Sequence, residues 1–145
     1  MFKLPDRMEE IWLSIAKGEK EVNIANKLNI TRQAVSKAAR EARAKITSMF
    51  LELAESLNLD VIRVNAEKGF MIARSRQLGL RVYAFYIPGK GIRILFGIKP
   101  YCQGESMSQV CKLIVTMGRE LNMIREEVKG NVEELVDEII KRIEE

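Results

Sequence analysis

Apolar positions recur at helical spacing near the start of the chain and give way, past its middle, to the alternation of strands. Met8, Ile11, Trp12 and Ile15 lie three or four residues apart, behind Pro5 and Asp6 and ahead of Gly18, which predicts an amphipathic helix ending at the glycine. A shorter helix follows from about Glu19 to Leu28, with Val22, Ile24, Ala25 and Leu28 available for burial. Asn29 stands where a left-handed residue is needed, and the Thr31 hydroxyl is placed to accept a hydrogen bond from the first turn of a third helix. No proline or glycine interrupts the chain from Thr31 to Leu59, and a helix reaching Ser56 spans roughly 39 Å. Val35, Ala39, Ala42, Ile46, Met49, Leu53 and Ser56 are separated by alternating steps of four and three. Such a heptad-like seam suits either a partner helix, as in a dimer, or packing on the chain's own C-terminal helices.

The stretches "LDVIRV", "GFMIARS", "LRVYAFYI" and "GIRILFGI" are short and rich in β-branched and aromatic residues. Turn signals at Asn65 to Gly69, Gln77 to Gly79 and Pro88 to Gly91 separate them, predicting a four-stranded antiparallel meander. In the last two strands the alternation gives one apolar and one mixed face. After Pro100, Ser106 or Ser108 is a candidate cap for a helix burying Val110, Leu113, Ile114, Met117, Leu121 and Ile124. Gly130 and Asn131 end that pattern. A last helix then groups Val132, Leu135, Val136, Ile139, Ile140 and Ile143, with Glu133 and Glu134 early and Lys141 and Arg142 late, as the helix dipole favours. The predicted fold class is α+β: an N-terminal helical helix-turn-helix domain with a long third helix, residues 1–57, followed by an antiparallel sheet covered by two C-terminal helices, residues 58–145.

Composition narrows the function classes. Of 145 residues, 47% are hydrophobic and 30% charged, enough apolar material for a folded core. No apolar run approaches the roughly 18 to 20 residues that span a bilayer, and "MFKLPDRMEE" lacks the apolar core of a secretory signal, so a cytoplasmic location and no membrane are expected. The chain has no histidine, which removes the commonest general acid or base, every nucleophile–histidine pair and the usual zinc sets. No catalytic constellation replaces them; neither an enzyme, a metal site nor a cofactor is expected. Cys102 and Cys111 are open to one disulfide or an oxidant-sensing role, but packing as reduced thiols in a cytoplasm is the expectation.

Net charge is only +4, so its distribution matters more. Residues 106–145 are acidic, with nine acidic against six basic side chains, whereas residues 27–45 carry Lys27, Arg32, Lys37, Arg40, Arg43 and Lys45 against Glu41 alone. That excess suits a surface facing a polyanion. It coincides with the segment from Glu21 to Arg40, which resembles the helix-turn-helix of transcription regulators: Ala25 is small where two helices approach, and Ile24, Leu28, Ile30 and Val35 bury the turn. More narrowly, "IANKLNITRQAVSKAAREARAKI" resembles the archaeal Tfx family, and more distantly sigma-factor region four and LuxR-type regulators, through Ile24, Ala25, Leu28, Thr31, Arg32, Val35, Ser36, Ala42 and Ile46. The resemblance covers roughly residues 8 to 50. It implies a DNA-binding transcription regulator whose second motif helix enters the major groove.

On that helix, Arg32 suits a bidentate contact to guanine and Gln33 one to adenine, while Thr31, Ser36, Lys37, Arg40 and Lys27 suit phosphates. One motif reads few base pairs, so the expected partner is double-stranded DNA bound by a homodimer. In the second half, Arg81, Tyr83 and Arg93, with Arg63, Arg74, Arg76 and Tyr86 nearby, are candidate ligands for an anionic small-molecule effector, the alternative being a solvated sheet face. "YIPGKGIRI" reads as a hairpin turn rather than a phosphate loop. A different function class is also consistent with the sequence: an interaction module docking protein or RNA through the helix-turn-helix and the basic sheet.

Overall fold

A computed structural model describes residues 3–145. Three helices come first: α1 (Asp6–Ala16), α2 (Glu21–Leu28) and α3 (Arg32–Ser56). Strands β1 (Leu59–Asn65), β2 (Phe70–Ser75), β3 (Arg81–Ile87) and β4 (Gly91–Phe96) form one antiparallel sheet in the order β1-β2-β3-β4, and α4 (Glu105–Glu120) and α5 (Val132–Glu144) complete the chain. This is the expected α+β class, with the meander and the two C-terminal helices in place. Among the described residues no helix is long and apolar enough to cross a membrane.

Local chemistry accounts for most helix ends. Gly18 at φ +101° follows α1, and Asn29 at φ 57°, ψ 47° adopts the left-handed conformation predicted for the turn. The Thr31 hydroxyl accepts from the Ala34 N–H at 3.0 Å, and Asn131 and Glu134 form a reciprocal capping box on α5. The start of α4 departs from expectation. Gly104 occupies its N-cap and neither Ser106 nor Ser108 caps it; the helix has begun at Glu105, so both serines lie inside its first turn. It also stops at Glu120 rather than running to Ile124, because Asn122 turns left-handed at φ 58° and folds Met123 and Ile124 into the core.

The sheet is buried on both faces, not one. Side chains alternate across a strand. Met71, Ala73, Val82, Ala84 and Tyr86 point toward α1 and α3, while Phe70, Ile72, Tyr83, Phe85 and Leu95 point toward α4 and α5; all ten are buried. On the first face the Trp12 ring meets the Tyr86 ring edge-on at 5.5 Å and its indole N–H donates to the Ala66 carbonyl at 2.8 Å. The Lys68 ammonium joins the layers, donating to the carbonyls of Ala16 at 2.7 Å and Leu121 at 3.1 Å, the C-terminal ends of α1 and α4.

The α3 seam has a different destination from either one expected. Its buried residues are Val35, Ala39, Ala42, Ile46, Phe50 and Ala54, so Phe50 and Ala54 replace Met49 and Leu53. The steps average more than 3.6 residues, and the stripe therefore turns slowly about the helix axis. Its first part, Val35 and Ala39, packs with Ile11, Ile24 and Ala25 in a small core of the helical head; the rest joins the main core under the sheet. These side chains are consumed within the protomer and are not available to a partner helix.

The cysteines are paired, contrary to expectation. Cys102 and Cys111 form a disulfide with Cα atoms 5.8 Å apart. Both Glu133 carboxylate oxygens accept backbone N–H groups, from Tyr101 at 2.9 Å and Cys102 at 3.0 Å, which pins the loop beside the inward-facing Cys111 of α4.

Candidate nucleic-acid interface

The head is organised around the close approach of α2 and α3. Ala25 and Val35 are both buried, and only a small side chain at Ala25 permits that approach; Asn29 reverses the chain between them without the strain a branched residue would suffer. The Ser36 hydroxyl donates to the Glu21 carboxylate and adds a polar tie from α3 to α2. The result is an α3 N-terminus that projects with its first turn exposed except for Val35.

Of the residues predicted to face a polyanion, Lys27, Thr31, Arg32, Gln33, Lys37 and Arg40 are exposed and Ser36 is half-buried. At 100° per residue, Gln33, Lys37 and Arg40 fall within about 60° of arc, opposite the buried stripe. Among the described residues the side chains of Arg32, Gln33 and Arg40 make no hydrogen bond or ion pair. Lys37 stands 4.0 Å from Glu41 and Lys27 3.1 Å from Glu19, both exposed pairs that a stronger anion can displace. The first turn of α3 carries no acidic residue, so nothing offsets the positive end of the helix dipole there.

Two hydroxyls in the set differ in what they can still do. Thr31 accepts as the cap and keeps its own proton to donate outward. The single hydroxyl hydrogen of Ser36 is engaged in the bond to Glu21, so it cannot also donate to a phosphate; it positions α3 rather than contacting an anion. Two exposed cations between α1 and α2, Lys17 and Lys20, lay outside the sequence-based set. Lys20 is the N-cap of α2, and both lysines precede the basic window at 27–45 from which that set was drawn.

Arg81, Tyr83 and Arg93 do not converge on a ligand site. The Tyr83 hydroxyl donates to Glu144 at 2.6 Å and Arg81 pairs with the same carboxylate at 3.2 Å, so both hold α5 onto the sheet. Burial, then the Glu144 contact, pushes the Tyr83 hydroxyl well above the usual tyrosine range. Arg93 folds back onto the hairpin, donating to the carbonyls of Lys90 at 2.9 Å and Ile92 at 3.1 Å. Three of the four neighbouring candidates are engaged as well: Arg76 pairs with Asp60 at 2.7 Å, Arg63 stacks 5.6 Å over the Phe70 ring, and the Tyr86 hydroxyl lies between the Leu4 N–H and Glu9, whereas Arg74 is exposed and points to no partner among the described residues.

No family model matches the chain, and neither a curated protein nor a solved structure matches it.

Proposed function

We propose that this protein is a sequence-specific DNA-binding transcription regulator that places the N-terminal half of α3 in the major groove and acts as a homodimer. The observation that carries the reading is the α2–α3 corner: a small core of its own, a left-handed Asn29 between the helices, and an outward stripe of Gln33, Lys37 and Arg40 beside Arg32 with no carboxylate in the first turn. Arg32 and Gln33 are the base-reading side chains, to guanine and adenine respectively. Thr31, Lys37, Arg40, Lys27 and Lys20 hold phosphates and set the register. The likeness of residues 8 to 50 to the archaeal Tfx family points the same way.

Such a regulator works in the cytoplasm alongside its DNA. Disulfides are rare there except in hyperthermophiles, whose intracellular proteins are disulfide-rich, and the Cys102–Cys111 bond fits that setting. Selection of duplex DNA from a random pool by the purified protein tests the reading. An inverted repeat with half-sites about one helical turn apart is the expected product. Weak, salt-sensitive binding without enrichment would overturn it and redirect the search to RNA or protein partners.

A further inference from the structure

The sheet has two edges, and they are built differently. On β1 the register slips between Val61 and Arg63, a bulge at Ile62, and the Asp60–Arg76 ion pair lies at the start of the strand. A bulge and paired charges are the usual means of keeping a second strand from adding. The β4 edge has neither protection along its length. Its pairing with β3 runs unbroken from Gly91 to Phe96, it contains no proline, and its one charge, Arg93, is folded back on the hairpin. Phe96 is 45% exposed and Ile98, just beyond, 59%.

The parity of the ladder says which groups are unpaired. The Gly97 N–H donates to the Arg81 carbonyl at 2.8 Å, and backbone groups alternate in direction along a strand, so Gly91, Arg93 and Leu95 bond toward β3. Ile92, Ile94 and Phe96 therefore direct their N–H and C=O groups away from the sheet. Among the described residues no other backbone bonds to them, and only the Ile92 carbonyl has a side-chain donor, Arg93.

The geometry points to this edge as the surface where a second copy of the chain pairs, antiparallel and about a two-fold axis at Ile94, so that two four-stranded sheets become one of eight. In that register Ile94 meets its own copy and Ile92 meets Phe96 of the other chain. Every outward-facing residue thus finds an outward-facing one, as hydrogen bonding between strands requires. Three apolar side chains from each copy line one face as a continuous row. The charges are compatible too: Arg93 falls opposite Leu95 instead of opposite its own copy. A one-residue slip would set inward-bonding groups against outward ones and lose the ladder.

The size of the contact sets its strength. A six-residue strand is about 20 Å long, and with side chains reaching about 10 Å to either side it covers on the order of 400 Å² per copy. A standard stable interface covers about 800 Å² per partner. The pairing is therefore weak in solution, a concentration-dependent monomer–dimer equilibrium. Its place as the regulator's dimer contact rests on the proposed function; the self-pairing itself does not.

Three variants of the full chain test it. Adjacent residues of a hydrogen-bonded antiparallel pair have Cα atoms about 5.5 Å apart, within disulfide reach. Ile94→Cys is expected to cross-link as a symmetric dimer under mild oxidation, whereas Ile92→Cys, four residues out of register with its own copy, and Val61→Cys on the other edge are not. In addition, Ile94→Pro removes an N–H that bonds to nothing within the protomer. It is expected to keep its circular dichroism and sediment as a monomer at concentrations where the parent chain shows dimer. Cross-linking through Val61 in place of Ile94, absence of an Ile94 cross-link, or a dimer that survives Ile94→Pro with structure intact would overturn the proposal. Duplex selection separates the two readings. An inverted repeat selected by a protein that does not cross-link through Ile94 removes the interface and leaves the regulator; cross-linking without selection does the reverse.

Discussion

Arg32 and Lys37 lie about 1.4 turns apart on α3, and under the proposed function the difference in their head groups separates reading from holding. A guanidinium fork matches the two acceptors on a guanine edge, whereas an ammonium is a point charge that serves any phosphate. Arg32→Ala is expected to flatten base preference at one position of the selected site, by about 1–3 kcal/mol of discrimination. Lys37→Ala is expected to weaken all duplexes alike and to reduce the slope of log K against log salt by about one. If Lys37→Ala changed the preferred sequence, or Arg32→Ala left it intact, the assignment of the two roles would be wrong. These side chains were legible in the sequence because their exposure follows from local spacing on one helix. Ser36 was not: its partner Glu21 lies on another helix, and only the packing of α2 on α3 brings them together.

Elements whose signals are local were recovered nearly to the residue. Gly18, Asn29 and Thr31 mark helix ends through backbone or capping chemistry that needs no tertiary partner. Apart from the two ends of α4, what failed was set by the partner. The drift of the α3 stripe from Met49 and Leu53 to Phe50 and Ala54 follows the sheet beneath it, and the pairing of Arg81 and Tyr83 with Glu144 joins β3 to the end of the last helix. The β1–β2 turn shows how such a contact constrains an element. Gly69 and Gly89 share φ +77°, but a Cβ at Gly69 would stand 3.0 Å from the Trp12 ring, while one at Gly89 meets nothing within 4 Å. Gly89→Ala carries backbone strain alone, about 1 kcal/mol. Gly69→Ala adds displacement of a fully buried indole and is expected to lose a further 1–3 kcal/mol, roughly the cost of overpacking. Equal losses in urea unfolding would mean that the indole yields freely.

At the scale of the whole molecule, the three tyrosines make the stability of the fold depend on alkaline pH in one direction. Burial is the first cause of the upward shift at Tyr83, Tyr86 and Tyr101; the carboxylates of Glu144 and Glu9 add to it at Tyr83 and Tyr86. Tyr86 holds α1 to the sheet, donating to Glu9 at 2.5 Å, and Tyr83 holds α5 to the opposite face. The neutral phenol is thus favoured in the folded state, and an unfolded tyrosine ionises near pH 10. Below that pH both states carry the proton and stability is unaffected. Above it the unfolded chain has lost protons that the native chain retains, so stability falls as pH rises toward the folded values. The tyrosinate absorbance of Tyr83 and Tyr86 at 295 nm, read in a Tyr101→Phe background, is expected to stay low at pH 10 and to rise together with the loss of ellipticity at higher pH, in a single transition. Ionisation of Tyr83 or Tyr86 near pH 10 with the helices intact would show that its hydroxyl is not held as the hydrogen bonds place it. Because Tyr86 and Tyr83 fasten helices to opposite faces, the transition is expected to release both layers together, leaving no stage at which the helix-turn-helix head remains folded on a bare sheet.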